Sequence, residues 1–92
     1  MNRLEIIEVI YNILKNQIEL NTISSFHEEA RLNEDLYMDS VIILELILYL
    51  ELNLGIEVPD EALIPKDFRT IGSLADFLER QQKLALVEES ND

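Results

Sequence analysis

The sequence predicts an all-α domain of four helices, three long and one short, with a long loop between the first and the second. Three observations carry this expectation. Apolar residues recur at steps of three and four in three separate segments, which is the spacing of one helical face. Gly and Pro occur only twice each in 92 residues, so few positions can break or turn the chain. Leu, Ile and Glu are abundant, and Leu and Glu are good helix formers. A chain this short supports one domain around one modest core.

Helix one is expected from about residue 3 to 19, because Leu4, Ile7, Tyr11, Leu14 and Ile18 form one stripe, which Ile6, Ile10 and Ile13 widen. The pattern stops near Asn21-Thr22, whose short polar side chains compete for backbone hydrogen bonds. The connection from Asn21 to Asp39 is long, since roughly two to eight residues usually join helices. Its expected anchors are Ile23, Phe26, Leu32 and Leu36, with a short turn from Ser25 to Ala30 capped by Ser25 and Glu28.

Helix two is expected over about 40 to 54. Asp39-Ser40 stand at its start, where Ser is a good cap, and Gly55 is a good stop. Its core arc is Ile43, Leu46, Ile47, Leu50 and Leu54. Val41, Leu44, Leu48 and Leu52 make a second apolar strip beside that arc, more apolar surface than one small bundle needs. That strip either meets partners or packs beneath the loop that carries Leu32 and Leu36.

Val58-Pro59-Asp60-Glu61 suits the first turn of a short third helix, with Pro where it is tolerated and acids where the helix dipole favours them. Thr70 is the expected cap of a last helix from Ile71 to about Lys83, with Leu74, Phe77, Leu78 and Gln81 on one face. Gly72 costs this helix some stability near its start. These elements occupy residues 1–84, the expected domain, and residues 85–92 read as a frayed, acidic, flexible tail.

Composition removes several function classes. The chain has no Cys, which excludes disulfides, a cysteine nucleophile and thiolate metal sites. Its net charge of −12 repels nucleic-acid phosphates. The richest apolar run, Val41 to Leu54, contains Glu45, Glu51 and Asn53 and falls short of the roughly 18 apolar residues of a membrane span. The N-terminus has no apolar h-region, so a cytoplasmic location is expected. Between Arg31 and Glu61 one Arg faces eight acids, leaving −7 of the −12 there and pointing to a basic partner surface.

Catalysis is not expected. His27, the single histidine, lies in a loop with nothing tying it to a serine, so no serine triad is expected. The carboxylates Glu34, Asp35 and Asp39 lack the alternating ligands and central Gly of a calcium loop, and no metal site is expected. The informative segment is Leu36-Tyr37-Met38-Asp39-Ser40-Val41, a serine where a long loop meets an apolar helix. Taken alone, Asp-Ser at that point is usually a helix cap and no more.

Together with Leu32-Asn33-Glu34-Asp35-Leu36 upstream and Gly55-Ile56-Glu57-Val58-Pro59-Asp60-Glu61 downstream, that segment resembles the acyl and peptidyl carrier protein family. The signature of that family is Asp-Ser-Leu at the start of the second of four helices. The resemblance runs without a gap from about Leu32 to Glu61 and more loosely over residues 4 to 82. It implies a four-helix carrier bundle, a 4′-phosphopantetheine arm on Ser40, and Asp39 as the acid of the motif. It also implies a partner-binding surface on helix two, for which Val41, Leu44, Glu45, Leu48 and Glu51 are the candidates.

Val41 stands in place of the usual Leu, and Ile42 and Ile43 stand where fatty-acid carriers commonly have polar residues. Siderophore and peptide-type carriers are therefore the nearer kin. The run from Arg31 to Val41, with Tyr49-Leu50-Glu51 and Gly72-Ser73-Leu74-Ala75-Asp76-Phe77, is similar to the freestanding aryl carriers of siderophore biosynthesis, those of petrobactin assembly above all. That likeness implies 3,4-dihydroxybenzoate as cargo. Its implied partners are a phosphopantetheinyl transferase, an aryl-adenylating ligase, and a siderophore synthetase or condensing enzyme. Fatty-acyl or aminoacyl cargo remains an alternative, and so does an unmodified acidic helical adaptor in which Ser40 only caps its helix. A membrane-surface helix is disfavoured, since anionic lipids would repel the acids.

Overall fold

The computed structural model describes residues 2–58 and 68–90. Three long helices dominate them: α1 (Arg3–Asn12), α2 (Ser40–Leu54) and α3 (Ile71–Ser90). The expected short helix at Pro59 to Glu61 lies outside the described residues. No described helix is long and apolar enough to cross a membrane.

Asn2 caps α1 through a reciprocal box with Glu5, each side chain accepting the other residue's backbone N–H at 2.9 and 3.0 Å. The helical path continues beyond α1 as a π turn over Ile13–Gln17, so the first helical segment ends near residue 17 rather than 19. Glu19 takes a left-handed φ of 58° there, and the N–H of Leu20 turns back to the Leu14 carbonyl at 2.8 Å. A left-handed residue commonly closes a helix in this way.

The buried edge of this segment is Ile6, Ile10, Ile13 and Leu14, while Leu4 is exposed and Ile7, Tyr11 and Ile18 are half-buried. The expected stripe is thus turned by part of a helical step. Arg3 supplies a reason: its guanidinium binds Glu28 at 2.6 Å and Asp76 at 2.7 Å, which fixes the start of α1 with Leu4 outward.

The core joins that edge to Leu46, Ile47 and Leu50 of α2 and to Ile71, Leu74, Ala75, Phe77 and Leu78 of α3. Ile43 and Leu54 are only half-buried at the rim of the α2 arc. Thr70 and Ser73 box the start of α3, each side chain accepting the other's N–H at 3.1 Å. α3 runs past Lys83 to Ser90. No Gly or Pro follows Gly72, so helix-forming residues carry the backbone on after the amphipathic pattern ends.

Candidate functional site: the start of α2

The loop before α2 is a built structure. A single turn of 3-10 helix at Ile23–Ser25 opens it; within the expected Ser25–Ala30 segment the Ala30 N–H closes a turn on the His27 carbonyl at 3.0 Å, without a helix and without the anticipated Ser25–Glu28 cap. Further on, the loop is stitched to the entry of α3: Leu32 N–H bonds the Arg69 carbonyl at 3.0 Å, Ile71 N–H the Ala30 carbonyl at 3.0 Å, and Gly72 N–H the Glu28 carbonyl at 2.8 Å. Leu32 and Leu36 are buried as expected, Ile23 and Phe26 pack partly, and Ala30 and Met38 prove to be further buried anchors.

Arg31 organises the acidic stretch. Its backbone carbonyl accepts the N–H groups of Asp35 and Leu36, and its guanidinium pairs with Glu34 and Asp35. The Arg31 side chain, followed by the Arg31 backbone N–H, holds the Asp35 carboxyl below its ordinary pKa. Met38 N–H then reaches the Leu32 carbonyl at 2.9 Å, and the Thr22 hydroxyl donates to the Leu36 carbonyl at 2.6 Å. The chain is therefore pinned on both sides of Tyr37, one step ahead of Asp39.

Asp39, not Ser40, is the cap of α2. Its backbone is extended, with φ −85° and ψ 179°, and its carboxylate accepts the Ile42 N–H at 2.9 Å. Ser40 is the first helical residue and is exposed. This removes the reason to read Ser40 as a mere cap, because its neighbour does that work. The first-turn N–H groups of Ser40 and Val41 have no acceptor within the helix, and the positive end of the helix dipole lies there. Such a place suits a phosphodiester, and with Asp39 and Val41 both exposed an enzyme can reach the hydroxyl.

Beyond the serine, Val41, Leu44, Leu48 and Leu52 are 63, 53, 61 and 81% exposed. The strip is a surface and does not pack beneath the loop. Glu45 is exposed beside it, whereas Glu51 is half-buried and its carboxylate accepts the Val58 N–H at 2.9 Å. The two acids therefore differ in kind. His27 is exposed, and its Nδ1 accepts the Glu29 N–H at 3.2 Å.

Two features were not visible in the sequence. Tyr37 has a left-handed φ of 54° and is 74% exposed, and no residue pattern signals a positive φ at a tyrosine. The Glu51–Val58 bond depends on the fold of the α2 exit, which spacing alone does not specify.

The family model described as the phosphopantetheine attachment site matches residues 8–78, which include the whole loop, all of α2 and Ser40. The chain belongs to this phosphopantetheine-binding carrier family. Members of the family are carriers and not catalysts, and the cofactor they bear is 4′-phosphopantetheine. The acyl carrier protein AsbD of Bacillus anthracis is 40% identical over 91 residues, covering 99% of this chain and 100% of that protein. An acyl carrier protein of Thermosynechococcus vestitus is 35% identical over 78 residues, 85% of this chain and 93% of its own. The carrier is thus similar along nearly its whole length to proteins that hold acyl groups.

Proposed function

We propose that Ser40 bears the phosphopantetheine arm and that the carrier holds an aryl acid on it as a thioester. The observation that carries the attachment is the division of labour at the start of α2, where Asp39 takes the Ile42 N–H and leaves the exposed Ser40 hydroxyl with no structural duty. In the transfer from coenzyme A, the Ser40 oxygen bonds to the phosphorus that bears pantetheine. The bond from that phosphorus to the remainder of coenzyme A breaks, 3′,5′-ADP leaves, and the serine proton passes to a base on the transferase. The arm supplies the thiol that a chain without cysteine lacks.

The cargo we infer is 3,4-dihydroxybenzoate in the assembly of a petrobactin-type siderophore. Similarity to AsbD over 99% of the chain supports this, as does the run from Arg31 to Val41. Ile43 and Tyr49 both pack against the core, and side chains of that bulk leave less room for a long internal acyl chain. A short aromatic acid carried outside needs no such space. An aryl-adenylating ligase would load the thiol, and a synthetase or condensing enzyme would pass the aryl group to an amine of a polyamine such as spermidine. Transferase, ligase and coenzyme A work in the cytoplasm, which supports a cytoplasmic carrier. Residues 1–84 form the carrier and 85–92 an acidic tail.

Similarity to the Thermosynechococcus protein favours a second reading, in which the cargo is another acyl group. Intact-mass measurement separates these. Transferase and coenzyme A should add one phosphopantetheinyl group to the wild type and none to Ser40→Ala. The modified protein with ligase, ATP and 3,4-dihydroxybenzoate should then gain one aryl thioester. Efficient fatty-acyl loading with no aryl thioester would select the second reading, and an unmodified wild type across several transferases would revive the adaptor.

A further inference from the structure

A cleft of about 260 Å³ lies where the π turn meets the end of α2, lined by Val9, Asn12, Ile13, Asn16, Gln17 and Asn53. Four of these six side chains are carboxamides, and no carboxylate among the described residues lines the cleft, although the chain carries 19 acids. Its floor is apolar, with Ile13 buried and Val9 half-buried against the core. The amides stand exposed at its rim.

The fold makes little use of these amides. Those of Asn12, Asn16 and Gln17 have no partner among the described residues. Asn53 commits its Nδ2 to the Tyr49 carbonyl at 2.7 Å, and its Oδ1 receives no donor among the described residues. The segment that presents Asn16 and Gln17 is a π turn, closed by the Ile18 N–H on the Ile13 carbonyl at 2.9 Å. Such turns are rare and occur frequently at functional sites.

The chemistry of the lining narrows the ligand. Neutral donors and acceptors around an apolar floor suit an uncharged ring with hydroxyl groups, since each hydroxyl both donates and accepts. A carboxylate would find no cation among the six lining residues. The volume lies just below the roughly 300–1,000 Å³ of sites for larger ligands, so the cleft suits a single ring. In an aryl thioester the carboxyl carbon is committed to sulfur. The ring hydroxyls, which keep their protons near neutral pH as phenols do, are then the only polar groups of the ring.

Reach agrees with this. Asn53 lies thirteen residues beyond Ser40 on the same helix, about 20 Å at the helical rise. From serine oxygen to sulfur the arm has roughly fourteen bonds, the length of about five extended residues or about 17 Å, and the aryl group extends it further. Ile42 and Tyr49, both half-buried, share a flank of α2 with Asn53 at steps of seven and four.

We propose that this cleft receives the hydroxylated ring of the carrier's own cargo, with Asn16, Gln17 and Asn53 bonding its hydroxyls and Val9 and Ile13 against its face. The inference rests on the arm at Ser40 and on an aryl cargo. Hydrogen bonds between neutral groups contribute little net stability, so the ring exchanges in and out and partner enzymes can draw it away.

The test uses protein modified by the transferase with coenzyme A, benzoyl-coenzyme A or 3,4-dihydroxybenzoyl-coenzyme A, so that no ligase is needed. In NMR spectra the side-chain amides of Asn16, Gln17 and Asn53 should shift with the dihydroxybenzoyl group and much less with benzoyl or the free thiol. Ring protons should show Overhauser effects to the Val9 and Ile13 methyls. Asn53→Ala should keep its Tm within about 5 °C of wild type and lower the ratio of docked to free ring about fivefold, read at Asn16 and Gln17. Asn16→Ala should act alike, read at Gln17 and Asn53, and keeps the test open if Asn53→Ala does not fold. Shifts confined to the first turn of α2, or equal for both aryl groups, would overturn the inference and leave the aryl cargo standing. Overhauser effects to other parts of the chain in place of Val9 and Ile13 would overturn it too. A ligase that cannot load 3,4-dihydroxybenzoate would remove the cargo reading and with it the inference, and a wild type that gains no arm would remove the attachment reading as well.

Discussion

The Glu51 carboxylate accepts the backbone N–H of Val58 at 2.9 Å, while the Glu51 carbonyl receives the N–H groups of Gly55 and Ile56 at 3.0 and 3.3 Å. Gly55 turns the chain in a left-handed conformation, φ 65°. One acidic residue thus ends α2 and directs the exit of the chain from it. Glu45, on the same helix, is exposed and has no such task.

Substitution should separate the two acids. Glu51→Ala should cost about 1–2 kcal/mol in chemical denaturation, as expected for a lost hydrogen bond to a charged group that is partly solvated. Glu51→Gln should recover most of this, because an amide oxygen can accept the same N–H. Glu45→Gln should change stability by no more than about 0.5 kcal/mol and slow phosphopantetheinylation by weakening attraction to a basic partner. Equal stability losses at both positions would contradict the distinction.

Gly72 gives a prediction whose sign opposes helix propensity. Alanine replacing an interior helical glycine usually adds about 1 kcal/mol. Here a Cβ would lie 2.8 Å from an Arg3 guanidinium nitrogen and 3.2 Å from the Glu28 carbonyl oxygen, where the loop, α1 and α3 converge. Gly72→Ala should lower the Tm. Part of that loss should disappear when Arg3→Ala is already present, which a double-mutant cycle measures. A Tm raised by Gly72→Ala in the wild-type background would show that the junction gives way easily.

How much of each element was legible in the sequence depends on the range of the interactions that shape it. α2 was legible to the residue, because Ser40–Leu54 lies between a polar start and Gly55 with no breaker inside. A second apolar strip was legible too, since Val41, Leu44, Leu48 and Leu52 fall off the core arc on a helical wheel, but its exposure was not, because only the path of the loop decides whether Leu32 and Leu36 cover it. The rotation of α1 was not, because it depends on Arg3 meeting Glu28 and Asp76, residues far away in the chain. Asp39 and Ser40 are both good caps, and only the Asp39–Ile42 bond decides between them. The positive φ of Tyr37 arises from the burial of Leu36 and Met38 together, and periodicity says nothing about a loop.

The Asp35 carboxyl gives the loop a defined response to acid. The Arg31 side chain and backbone N–H hold its pKa below the ordinary carboxyl value of about 3.9. A group depressed in the folded state contributes stability that is present above the unfolded value and is lost as pH falls through the folded value. Asp35→Asn should therefore destabilise the protein near neutral pH and make no difference once the pH is well below about 3.9. Denaturation midpoints of both proteins should converge with acidification, and a constant gap across that range would assign the effect to shape instead of charge.

Leu48 and Leu50 are two residues apart on α2 and face opposite worlds, 61 and 0% exposed. Leu50→Ala removes a fully buried side chain and should cost about 2–5 kcal/mol. Leu48→Ala should cost about 0.5 kcal/mol or less, as surface substitutions do. The difference makes Leu48 a usable probe of function, because even Leu48→Glu places its charge in water and should keep the helical circular dichroism and Tm of the wild type. The same change puts a carboxylate on the strip that Val41, Leu44 and Leu52 continue, and a partner that buries the strip would have to desolvate it. Modification at Ser40, or loading of the modified protein, should then slow through a raised KM with little change in kcat. If Leu48→Glu unfolds the protein, the strip belongs to the core after all; if it folds and every partner handles it at the wild-type rate, the strip is not where those partners dock.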